Sequence, residues 1–118
     1  MYQNNVNRLD KEIADLEAKK AKLDADCANL QTRILSVRKT ITKNTSLSTL
    51  QSKQRQLEGY NRDITKKEKD SADLSKKIAD KRKRRLDEQK NYKKLKSKKI
   101  RNNKMQLEDY NNLMNVKL

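Results

Sequence analysis

One stripe runs through the first third of this chain without a slip. Tyr2, Val6, Leu9, Ile13, Leu16, Lys20, Leu23, Cys27, Leu30, Ile34, Val37 and Ile41 recur at alternating spacings of four and three residues, and all but Lys20 are apolar. Apolar residues every ~3.5 positions keep one face of a helix against a partner helix. The chain has no Pro and a single Gly, Gly59, so little in it breaks a helix. A long amphipathic helix over residues 2–41 follows. Lys20 is the exception on the seam. It either fixes register or partner number, or lays its stem along the seam and keeps its ammonium in water.

The stripe stops at a run of short polar side chains from Thr42 to Thr49. Their hydroxyl and amide groups bond to nearby backbone and compete with the helix. A turn is therefore predicted at 42–48. Ser46 or Ser48 can cap a new helix, and Ser48 with Gln51 fits a capping box. A second seam then begins with Leu50, Leu57, Tyr60, Ile64, Leu74, Ile78, Tyr92 and Leu95. The same frame also holds Lys53, Lys67, Ser71, Lys81, Arg85 and Glu88. Pairs such as Glu58 with Arg62 and Asp73 with Lys77 support the helix locally. A long basic helix is predicted over 49–104. The mixed, Asn-rich residues 105–118 read as a frayed end or a linker. Gly59 costs about 1 kcal/mol in a helix interior and reads as tolerated, not as a hinge.

The fold class is all-α, and two pairings compete. In a parallel homodimer of the first helix, β-branched residues at one seam position and Leu at the other fit well. The flanking charges fit poorly, because Glu12 would face Glu17 and Arg33 would face Arg38. In an antiparallel hairpin turning near Asn44, residue i lies near residue 89 − i. The acidic stretch 10–26 then faces 63–79, which has a slight basic excess. The hairpin is the expected pairing. Two hairpins are expected to associate into a homodimeric bundle, since two helices alone bury little.

The formal net charge is +15. Residues 81–104 hold thirteen bases against Asp87 and Glu88, a net +11, so the basicity belongs to one segment. Lys81, Arg82, Lys83, Arg84 and Arg85 form its densest run and are the candidate polyanion contact, for nucleic acid or an anionic lipid surface. The charges surround the helix instead of forming a stripe, and Tyr92 is the one aromatic among them, so the stacking platform of a single-strand binder is missing.

Catalytic chemistry has few raw materials here. There is no His, one Cys and one Gly, which leaves no His general base, no zinc site from His and Cys, and no Gly-rich phosphate loop. Asp10, Asp24, Glu58 and Asp63 read as exposed helical positions that serve solubility and i,i+4 pairing. Cys27 reads as a small seam residue. No enzyme activity and no cofactor are expected of this chain. Residues 1–10 are polar, unlike a signal peptide, and no apolar run approaches the ~20 residues of a membrane span. With one cysteine, a cytoplasmic protein is expected.

The turn carries a resemblance. Lys43, Thr45, Ser46, Ser48, Thr49, Leu50 and Lys53, followed by a Lys-rich helix, resemble the N-terminal coiled-coil region of bacterial proteins with a Toll/interleukin-1-receptor (TIR) domain. The likeness covers roughly residues 30–100. It implies a regulatory or assembly region for a C-terminal TIR domain that hydrolyses or cyclises NAD+ in bacterial immunity and signalling. The TIR strand-and-helix pattern is not found within the 118 residues, so no catalytic residue carries over. The expected function is a coiled-coil oligomerisation and regulatory module, with itself and an attached or partner effector domain as partners. The alternative is a free-standing basic scaffold that binds nucleic acid or anionic lipid through residues 81–104.

Overall fold

A computed structural model describes residues 1–117, with 115–117 described by backbone alone. The chain folds into two helices, α1 (Tyr2–Lys39) and α2 (Leu47–Lys117), packed antiparallel as a hairpin. The rod measures 108 Å along its axis and 19 and 14 Å across.

The seam follows the heptad frame. Val6, Leu9, Ile13, Cys27, Leu30, Ile34, Ile64 and Ile78 are buried. Leu16, Leu23, Val37, Ile41, Leu50, Leu57, Tyr60 and Leu74 are half-buried. Near the turn, Cys27, Leu30, Ile34 and Ile64 form one cluster, with Leu57 and Tyr60 packed against it. Lys20 is half-buried and its Nζ reaches Asp24 at 2.9 Å, so its stem packs while its charge stays at the edge.

The helix boundaries differ from the sequence expectation at both ends. α1 stops at Lys39, not residue 41, because Thr40 closes the helix on Val37. Its N–H and its hydroxyl both donate to the Val37 carbonyl, at 3.0 and 2.6 Å. Arg38 and Lys39 place positive charge on the last turn, where the helix dipole favours it. Across the connector, the Thr42 N–H donates to Thr45 Oγ1 at 2.8 Å and the Thr45 N–H donates to the Thr42 carbonyl at 3.1 Å. Ser46 then caps α2 by accepting the Thr49 N–H at 3.3 Å, so the helix starts ahead of residue 49.

At the other end, the frayed end or linker expected over 105–118 is instead helix to Lys117, while Leu118 lies outside the described residues. No Pro or Gly follows Gly59, and Lys, Leu, Met, Gln and Glu sustain helix well.

The register also moves. Thr40 meets Lys53, Asp26 meets Lys67, Glu12 meets Lys81 and Asp10 meets Arg85, so residue i lies near 93 − i to 95 − i instead of 89 − i. The offset lies at the turn: on this register Lys39 is level with residues 54–56, so α2 begins about two turns beyond the end of α1, and residues 40–46 span that offset. Residues 10–26 now face about 68–84. That stretch holds seven bases and four acids, a net +3, against a net +1 for 63–79.

Gly59 has helical backbone with no positive φ, and a Cβ built there meets nothing within 4 Å. Gly59→Ala should therefore stabilise the hairpin by about 1 kcal/mol. Chemical denaturation of both proteins checks this; an unchanged or lowered midpoint would contradict it.

Candidate interaction surfaces

The polar positions on the α2 seam are rungs of a ladder to α1. Lys53 Nζ donates to the carbonyl and hydroxyl of Thr40 at 3.1 and 2.6 Å. Lys67 pairs with Asp26 at 3.7 Å. Ser71, itself buried, donates to Asp24 Oδ1 at 2.8 Å. Lys81 pairs with Glu12 at 2.8 Å and Arg85 with Asp10 at 2.5 Å. Of the six polar seam positions in α2, five thus find a partner across the hairpin, and Glu88 is half-buried near the far end. Arg82, just off the seam, pairs with Glu17.

This placement changes the reading of the basic run. Lys81, Arg82 and Arg85 are engaged by acids of α1. They help close the hairpin, and a polyanion there would compete with these acids for the same cations. Lys83 and Arg84 are exposed. Two of the acids expected to serve solubility and i,i+4 pairing, Asp10 and Asp24, belong to this ladder, Asp24 also pairing with Lys20 four residues before it, and Asp10, Glu12, Glu17, Asp24 and Asp26 all sit directly beside a seam position. That flanking position is the signal that marks them as cross-helix partners.

The electrostatics agree with the geometry. The Lys81 ammonium bonded to Glu12 is the main cause holding that carboxyl below its usual range. Asp24 is lowered by hydrogen bonds from Lys20 and then Ser71. Arg85 is raised by its bond to Asp10. Cys27 is pushed up by burial, and its Sγ lies 3.9 Å from the Ile64 carbonyl. It is packed in the hairpin seam and kept as the thiol, a poor nucleophile.

The turn residues carrying the resemblance have mostly structural duties. Thr45 closes the connector, Ser46 caps α2, Thr49 accepts the Ser46 hydroxyl at 2.8 Å, Leu50 is half-buried and Lys53 holds Thr40. Lys43 and Ser48 are exposed.

At the open end, the rings of Tyr2 and Tyr92 stack with centroids 4.1 Å apart and planes 9° from parallel. Beyond this stack α2 runs on alone over residues 93–117, about 38 Å of single helix. Here Ile100, Met105, Leu107, Tyr110 and Leu113 are 57% to 62% exposed. The same overhang carries Lys93, Lys94, Lys96, Lys98, Lys99, Arg101 and Lys104, all exposed. Among the described residues no helix is long and apolar enough to cross a membrane, and no group of three or more His, Cys, Asp or Glu could hold a metal ion.

The ladder has a pH signature. Glu12 and Asp24 titrate lower in the hairpin than in the unfolded chain, so their contribution is complete above the ordinary carboxylate range of about 4. It is lost as pH falls through the lowered values. Thermal melting at pH 7 and pH 2 should show a lower midpoint in acid. Glu12→Lys and Lys81→Glu should each destabilise at pH 7, and the double swap should recover most of the loss; single and double variants that melt alike would refute the pairing.

No family model matches the chain, and neither a curated protein nor a solved structure is similar to it.

Proposed function

We propose that this chain is a coiled-coil assembly and regulatory module. One observation carries the reading: α2 continues for about seven turns past its partner and exposes apolar side chains there. An isolated helix gains most of its stability in proteins by packing an apolar face, so this segment is built to meet another surface. The hairpin behind it supplies a stiff, uniquely registered stem. In the cytoplasm, such a module would gather copies of itself and of an effector domain attached to it or recruited by it. The TIR-like turn makes an NAD+ hydrolase the effector to examine first. Light scattering on the purified chain should return at least twice the 13.9 kDa of the monomer. The oligomer should survive 1 M salt, since apolar contact is not screened. A monomer at ~100 µM would defeat the proposal.

A second reading draws on a different observation. Between Gln89 and Leu107 there are eight bases and no acid, and Lys90 to Lys104 form no ion pair among the described residues. A polyanion such as nucleic acid or an anionic lipid surface would therefore meet the overhang first, with the exposed Lys83 and Arg84 next to it. Replacing Lys96, Lys98 and Lys99 with Gln should weaken binding to duplex DNA and flatten its dependence on salt by ~0.9 for each phosphate no longer neutralised. Unchanged binding in that variant, or none at low salt, would remove this reading.

A further inference from the structure

Within the overhang four of the seven exposed large apolar side chains share one stripe, while Leu95, Met105 and Leu113 lie off it. Ile100, Asn103, Leu107, Tyr110 and Met114 recur at spacings of three, four, three and four, a fresh seam on a helix with no partner beside it. This seam does not continue the one that packs on α1. Seam positions of the body include Ile78, Arg85 and Tyr92, and the same frame leads to Lys99, not Ile100. The offset of one residue turns the new stripe about 100° around the helix. The overhang therefore presents a second face, not the uncovered remainder of the first.

The charge along the overhang identifies what covers it. Residues 93–104 carry seven bases and no acid, a net +7, while residues 105–117 carry Lys117 against Glu108 and Asp109, a net −1. A parallel copy would lay +7 against +7. An antiparallel copy lays +7 against −1 at both ends and sends the two hairpin bodies to opposite ends of the joint. Opposed basic segments disfavour the first arrangement strongly, and a two-fold axis closes the second on itself.

We propose that a second copy of this chain packs on the overhang seam antiparallel, with Ile100 of each copy beside Tyr110 of the other and Leu107 beside Asn103. The inference rests on the assembly reading above and assigns it a surface and an orientation. Asn103 adds selectivity, because a polar residue on an apolar seam disfavours other registers. The two overhangs together keep a positive net charge, so added salt screens their repulsion and tightens the pair. Polyanion binding by the same segment responds to salt in the opposite sense.

The test uses the full chain with Cys27→Ala and a spin label at Lys94→Cys, off the stripe. In the antiparallel pair the labels sit about 33 Å apart along the axis; in a parallel pair they lie within about 20 Å. The expected result is the long distance, together with a dimer weakened roughly tenfold or more by Leu107→Asp with Tyr110→Asp. Helix content by circular dichroism confirms that the hairpin body of that variant remains folded. A short distance, or a dimer indifferent to the two substitutions, overturns the orientation and leaves assembly through another surface. A chain that is monomeric at every concentration overturns both readings.

Discussion

The ladder of polar side chains across the hairpin is what the rest of the structure depends on. An apolar seam alone would pair two helices in several registers, because Leu and Ile tolerate a slip of one heptad. A buried aliphatic side chain contributes about 2 kcal/mol wherever it packs, whereas Lys67, Ser71, Lys81 and Arg85 are each satisfied in one alignment. The apolar residues hold the helices together, and the polar residues choose where. The turn then has to accommodate that choice, and its threonines and serines do so by tying the connector to both helix ends.

The same ladder explains a disposition that looks wasteful in the linear sequence. Six of the fourteen seam positions of the second helix are polar, which weakens it as a partner for a copy of itself. Against α1 those positions are useful, since α1 places Asp10, Glu12, Asp24 and Asp26 directly beside its apolar stripe. The two seams are complementary and neither is self-complementary. That is selection against a parallel homodimer of either helix, achieved with charges whose individual strengths are modest.

Much of this is legible in the sequence, and the parts that are not have physical reasons. The unbroken spacing from Tyr2 to Ile41 dictates a helix and its buried face, and its residues, with the apolar residues of the second stripe as far as Ile78, are at least half-buried, whereas Tyr92 and Leu95 at the end of that stripe are exposed because α1 ends there. The hydroxyl-rich break dictates a turn. The register differs from expectation by about five residues, because it depends on how far α2 starts beyond the end of α1, which spacing does not encode. The cross-helix pairs of Lys81, Arg82 and Arg85 are hidden for the same reason: only the register brings the acids of α1 alongside them. The helicity of residues 105–117 is masked by their mixed composition, which conceals a stripe offset from the first.

The continuity of α2 has a mechanical consequence. One helix forms half of the hairpin and the whole of the overhang, with no Pro and no break between Leu47 and Lys117. Hydrogen bonding along such a helix resists torsion and bending far more than a jointed linker does. The molecule therefore behaves as a drive shaft. A rotation imposed on the turn at one tip would arrive at the other, about 100 Å away, without a hinge to absorb it, so an event at the threonine-rich tip could reorient whatever is held at the far end.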